Sequence, residues 1–91
     1  MNIIKIAFVG TGYMANEYAR VLISEFKNKI KLVGAINRSS KSIKNFVKKY
    51  KILKHYTKLD EMMESSKPDI VIVCVNELST YKILKILSNY K

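Results

Sequence analysis

The chain has 91 residues, 48% of them apolar, which allows one domain with a small core and excludes a disordered tail. No apolar run approaches the roughly 20 residues of a membrane span, and one cysteine, Cys74, excludes an intrachain disulfide framework. The formal charge of +10 is unevenly placed, with no acidic residue between Glu25 and Asp60.

Residues 3–9 are apolar apart from Lys5, as expected of a strand covered on both faces in a parallel sheet. Met1 leads almost directly into this strand, without the basic region, apolar core and cleavage site of a secretion signal. Together with the lone thiol, that predicts a cytoplasmic protein. Gly10-Thr11-Gly12 follows, and an amphipathic segment opens at Tyr13. A pair of glycines also fits an ordinary strand-to-helix turn. Its placement at the head of a βαβ unit points further, to a dinucleotide pyrophosphate. In that reading Gly10 turns the chain off the strand, and Gly12 lets the backbone approach the phosphates. Ala15 is small enough for the helix to pack on the strand. The free N–H groups around Gly12, Tyr13 and Met14 face the anion at the positive end of the helix.

The first helix is expected over residues 13–27, with Met14, Tyr18, Val21, Leu22 and Phe26 as its buried stripe. Residues 30–37 read as the second strand, where Gly34 implies close packing against the backbone. Ser39 or Ser40 can cap a second helix whose apolar face is Ile43, Phe46, Val47 and Tyr50. A short edge strand is placed at residues 54–57. His55, the one histidine, has no carboxylate or second histidine nearby in sequence and reads as an exposed edge residue. Thr57 and Asp60 have the spacing of a capping box for a third helix, with Leu59, Met62 and Met63 as core filler. Pro68 ends that helix. Residues 70–75 form an unbroken apolar run, expected to be a central, buried strand that holds Cys74 as a core thiol. Residues 76–78 read as a loop. Ser79 or Thr80 then caps a fourth helix with Leu84, Leu87 and Tyr90 as its stripe and Ile83 beside it.

The predicted fold is therefore a doubly wound α/β, Rossmann-like parallel sheet with strand order 3-2-1-4 and a crevice between the first and fourth strands. Residues 9–12 and 75–78 open into that crevice. Val75, Asn76 and Glu77 thus join Gly10, Thr11, Gly12, Tyr13 and Met14 as candidate cofactor-binding residues. Asn37, Arg38 and Ser39 complete the set at the end of the second strand, where an Asp or Glu marks domains specific for NAD. Asn37 is neutral and tolerates a 2′-phosphate, and Arg38 can contact that phosphate with two hydrogen bonds. This predicts NADP in preference to NAD. The alternative is that Arg38 stacks on adenine and serves both cofactors.

Four stretches carry a resemblance to a known family: residues 6–12, residues 33–39, Lys49-Tyr50 leading to Tyr56, and residues 67–73. Together they resemble the N-terminal domain of the glucose–fructose oxidoreductase and inositol dehydrogenase (Gfo/Idh/MocA) family. The resemblance covers nearly the whole chain. It implies an NAD(P)-dependent oxidoreductase that moves a hydride to or from a sugar or related polyol. It also implies a second, α+β substrate domain that carries the catalytic residues and is missing from this chain. Residues 1–91 then read as the NAD(P)-binding fragment of a larger protein, inactive alone, ending after the fourth helix. Val75, Asn76 and Thr80 depart from the Thr-Pro-x-x-x-His often found after the fourth strand of that family. The stretch 75–80 resembles a variant in members linked to surface-sugar or nucleotide-sugar metabolism.

Two other readings stay open: a non-catalytic NAD(P)-sensing module of the same fold, and a nucleic-acid binder using the basic block. The tyrosines form no RNA-binding motif and no helix-turn-helix signature is present, so nucleic acid is not the expected partner. A fourth strand without a further neighbour would leave an open apolar edge, which predicts pairing between copies as a homo-oligomer.

Overall fold

Four strands pair in parallel, and each strand is followed by a helix. A computed structural model describes residues 3–37, 40–74 and 77–90. The elements are β1 (Ile4–Val9), α1 (Tyr13–Phe26), β2 (Ile30–Ile36), α2 (Ser40–Tyr50), β3 (His55–Tyr56), α3 (Leu59–Ser66), β4 (Ile70–Val73) and α4 (Glu77–Leu87). The sheet order is β3-β2-β1-β4, the predicted Rossmann-like arrangement.

Strand alternation sorts the core into two layers. Ile6 and Phe8 of β1 face α1 and α2, where they meet Ala15, Ala19, Ile43, Phe46 and Tyr50. Ala7 and Val9 point the other way, into a second cluster built on Met62 and Met63 of α3 with Ile83, Leu87 and Tyr90 beside them. The rings of Phe8 and Phe46 meet edge to face at 5.1 Å, as do those of Phe46 and Tyr50.

An irregularity in β2 keeps this alternation in phase. Ile6 pairs with Leu32, but Ala7 pairs with Gly34, which leaves Val33 as an extra residue. A Cβ at Gly34 would lie 3.1 Å from Met62 Cγ and 3.1 Å from Tyr56 Cε2. The close packing expected at Gly34 is present, and side chains of α3 and β3 make it.

Several local expectations are corrected. The buried stripe of α1 is not the predicted one, because Met14, Tyr18, Val21 and Phe26 are all exposed. Ala15 and Ala19 are fully buried in their place, with Leu22 and Ile23 packed at the margin. The side of α1 turned to the sheet is thus set by its two small residues. Lys58, not Thr57, caps α3, and no side-chain bond closes the cap. The predicted box is therefore one residue out of register, and Asp60 accepts a 2.8 Å bond from the Tyr90 hydroxyl instead. Both Ser40 and the pair Ser79 and Thr80 stand inside their helices, since α2 begins at Ser40 and α4 at Glu77. Leu84 is exposed, and the packed side of α4 is Ile83 and Leu87, with Tyr90 beyond the helix end joining them. The fourth strand is neither central nor fully buried. It pairs with β1 alone among the described residues, and Ile70 is 47% exposed.

Other readings hold. Helix α2 buries Ile43, Phe46 and Tyr50, with Val47 packed against them. His55 is exposed on the edge strand. Lys67 closes α3 in the left-handed conformation, φ 45°, its N–H bonded to the Met63 carbonyl. No described helix is long and apolar enough to cross a membrane.

Candidate functional site

The strand order reverses at β1. Helix α1, which follows β1, packs on one face of the sheet, and α4, which follows β4, packs on the other. Their N-termini diverge around the carboxyl ends of β1 and β4, which are joined by the Cys74 N–H bond to the Val9 carbonyl at 2.8 Å. This is the switch point at which open parallel sheets bind ligands.

Three residues connect β1 to α1, and each does a different job. Gly10 has φ 98°, a conformation that side chains rarely adopt, and its N–H donates to the Ile36 carbonyl at 2.7 Å. That bond holds the end of β2 against the turn. Thr11 is buried, and its side chain faces inward to share a 2.7 Å hydrogen bond with Ser42 of α2. The Thr11 hydroxyl is thus a tether to α2. Gly12 is exposed and occupies the N-cap position with no side-chain cap bond. Its φ of −84° is open to any residue, yet a Cβ there would meet nothing within 4 Å. Among the described residues, nothing covers Gly12 within that distance.

The helix end beyond it is bare. The N–H groups of Gly12, Tyr13 and Met14 have no acceptor among the described residues, and no acidic side chain occupies the first turn of α1. Tyr13 is 77% exposed and Met14 is exposed beside it, so neither side chain plugs the turn. Ala15 is fully buried, as its packing role requires. An exposed group of main-chain donors at the positive end of a 14-residue helix suits a diphosphate without further arrangement.

The remaining candidates divide. Asn37 follows β2 directly and is half-buried. Arg38, Ser39, Val75 and Asn76 lie outside the described residues. Glu77 is the first residue of α4.

Sequence reasoning missed a polar latch behind the turn. The Asn16 side-chain amide donates to the Gly12 carbonyl at 2.8 Å and to the Thr11 carbonyl at 3.2 Å. Its oxygen accepts from the Tyr50 hydroxyl at 2.8 Å. Ser42 Oγ donates to the same Thr11 carbonyl at 3.3 Å. The signal was available: Asn is a poor helix former, and one set four residues after a turn glycine is placed to bond back to the main chain. Next to this latch a cleft of about 430 Å³ opens between α1 and α2, with Lys41 and Lys49 on its wall.

One reactive-looking side chain stays outside the site. Cys74 packs on the α1–α2 core, and burial pushes its thiol pKa up, away from the reactive thiolate. No group of His, Cys, Asp and Glu among the described residues could hold a metal ion.

Comparisons with known proteins agree with this geometry. No curated protein matches the sequence with significance. Among solved structures, scyllo-inositol dehydrogenase from Lactobacillus casei with bound NAD(H) and scyllo-inositol matches with a TM-score of 0.83 and 18% identity. That match covers 97% of this chain and 26% of the other. The WlbA dehydrogenase from Chromobacterium violaceum, in complex with NADH and UDP-GlcNAcA, matches with a TM-score of 0.75 and 23% identity over 82% of this chain and 21% of that one. A putative NADPH-dependent oxidoreductase from Desulfitobacterium hafniense gives a TM-score of 0.85 and 19% identity over 97% of this chain and 24% of its own. The chain thus spans about a quarter of the length of the proteins it resembles. The family model described as "Oxidoreductase family, NAD-binding Rossmann fold" (GFO_IDH_MocA) matches residues 4–90, and the chain belongs to that family.

Proposed function

We propose that this chain is the cofactor domain of an oxidoreductase that exchanges a hydride between a nicotinamide dinucleotide and a sugar, polyol or nucleotide-sugar-related substrate. The observation that carries the reading is the uncovered space above Gly12, beside main-chain N–H groups without acceptors at the head of α1. The residues present fit the cofactor. Gly12, Tyr13 and Met14 would hold its pyrophosphate, and Gly10 shapes the turn that presents them. Asn37 and Arg38 would meet the adenine ribose, and Val75, Asn76 and Glu77 would serve the nicotinamide side. The bound nicotinamide supplies or accepts the hydride. The substrate class rests on the resemblance to inositol and nucleotide-sugar dehydrogenases, and the catalytic groups belong to a domain that these residues do not include.

Within this reading NADP is preferred. Asn37 places no negative charge at the end of β2, and Arg38 follows it. A charge-assisted hydrogen bond contributes about 1.5–3 kcal/mol, roughly ten- to a hundredfold in affinity. Calorimetric titration of NADPH and NADH into the wild type and Arg38→Ala tests both levels. Loss of the NADPH preference in the variant is expected. An unchanged ratio removes the preference for NADP, and absence of binding by either nucleotide removes the cofactor reading itself.

A further inference from the structure

We infer that Asn16 is a positioning residue for the pyrophosphate: through one side-chain amide it fixes the direction of two main-chain donors it does not itself contain. The inference rests on the cofactor reading above and concerns how the turn is held ready. The peptide group is planar and trans, so its N–H and C=O point in opposite directions. The Thr11 carbonyl and the Gly12 N–H belong to one such plane, and the Gly12 carbonyl and the Tyr13 N–H to the next. Asn16 Nδ2 draws the first carbonyl inward at 3.2 Å and the second at 2.8 Å. Both N–H groups are thereby turned the opposite way, outward.

Without that clamp the turn has reason to waver. Gly12 has no Cβ to restrict its main chain, and no atom within 4 Å of where a Cβ would stand. A rotated peptide would present a carbonyl oxygen to the phosphate in place of a donor. The structure opposes this with two donors on each carbonyl. Gly12 O accepts from the Asn16 main-chain N–H at 3.0 Å and from its side chain, and Thr11 O accepts from Asn16 and from Ser42 Oγ at 3.3 Å.

Tyr50 fixes the amide that does this. Its hydroxyl donates to Asn16 Oδ1 at 2.8 Å, which orients the opposite end of the amide, Nδ2, toward the turn. Tyr50 is buried at the last position of α2, its ring edge to face with Phe46. Ser42 sits near the start of the same helix. The latch therefore grips α2 at both ends, and a helix that follows the ribose-facing end of β2 also sets the aim of the phosphate-facing turn.

The test compares ligands that differ in the diphosphate. ADP-ribose and adenosine are titrated into the 91-residue chain, with the Gly12, Tyr13 and Met14 amides followed by NMR. Asn16→Ala is expected to weaken ADP-ribose roughly tenfold while adenosine binding stays unchanged. Asn16→Ser, whose hydroxyl can donate back to the Gly12 carbonyl, should recover part of the loss. Tyr50→Phe keeps the ring packing and should reproduce the direction of the loss at smaller size, which keeps the inference open to refutation if Asn16→Ala fails to fold. ADP-ribose binding at wild-type strength in Asn16→Ala or, where that variant does not fold, in Tyr50→Phe would overturn it. So would an equal loss of adenosine and ADP-ribose. A wild-type chain that binds no ADP-ribose would instead sink the cofactor reading.

Discussion

Gly10 and Gly12 stand two residues apart, and substitution by alanine should damage different things at each. At Gly12 a methyl group enters open space, since a Cβ there meets nothing within 4 Å, on a backbone with φ −84° that alanine adopts freely. The cost of alanine at an N-cap is about 0.5–1 kcal/mol relative to glycine, and the reduced freedom of the unfolded chain returns about 0.4–1 kcal/mol. Gly12→Ala should therefore melt within about 1 kcal/mol of the wild type. Its binding should suffer much more. A hydrogen-bonded phosphate oxygen sits about 2.9 Å from its donor nitrogen, whereas a carbon keeps such an oxygen at about 3.3 Å or beyond. Losing one charge-assisted bond costs about 1.5–3 kcal/mol, roughly ten- to a hundredfold in affinity. At Gly10 the φ of 98° is the difficulty. Alanine there should lose about 1–2 kcal/mol of stability through the backbone alone. Urea denaturation gives the stabilities, and calorimetry with NADH and NADPH gives the affinities. A Gly12→Ala chain that binds either nucleotide as the wild type does would refute the assignment of that open space to the pyrophosphate.

Two further outcomes follow from the packing. Ala19→Leu should destabilise the chain by about 1–3 kcal/mol, since Ala19 is fully buried between α1 and the sheet, while Val21→Ser on the exposed face should stay within about 0.5 kcal/mol by urea titration; equal costs would reverse the orientation given to α1. The Tyr90 hydroxyl is held protonated by its bond to Asp60 and by desolvation, with its pKa pushed up to about 12 from 10. A folded-state pKa raised above the unfolded one gives a contribution that is complete below pH 10 and is lost as pH rises toward 12. Against Tyr90→Phe, the wild type should lose its relative advantage in thermal stability across that interval, and parallel profiles would remove the role of the bond.

The sheet was legible because its signals are strong and local. The apolar runs at residues 4–9, interrupted by Lys5, and at residues 70–73, unbroken, are strands in the structure, and Gly10 takes the positive φ that a sharp turn needs. The stripe of α2 was equally plain, since its lysines leave Ile43, Phe46, Val47 and Tyr50 as the apolar face. The orientation of α1 was not. Its large apolar residues drew the stripe toward Met14 and Tyr18, whereas the close approach to the sheet selects by size and gives the core side to Ala15 and Ala19. A hydrophobic pattern records greasiness and is blind to the distance between layers. The central position given to β4 failed for a related reason: its composition suits burial on both faces, but strand neighbours are set by topology. At the site, the glycines could be read one at a time. Of the latch only the bond of Asn16 back to the turn could be read, because Ser42 and Tyr50 belong to another helix and acquire meaning only when α1 and α2 lie side by side.

The surplus residue in β2 has a consequence for how the strand ends. Parallel neighbours must show the same face, and a strand flips face with every residue. Because Val33 and Gly34 both serve the α3 side, Ala35 and Ile36 come back into step with Phe8 and Val9. Deleting either one would leave a regular strand with Ala35 and Ile36 still opposite Phe8 and Val9, whereas pairing Val33 with Ala7 without the bulge would turn every later side chain of that strand to the wrong layer. The surplus residue is thus absorbed before the strand ends, and Asn37 leaves β2 in the same register with β1 as it would leave a strand without the irregularity.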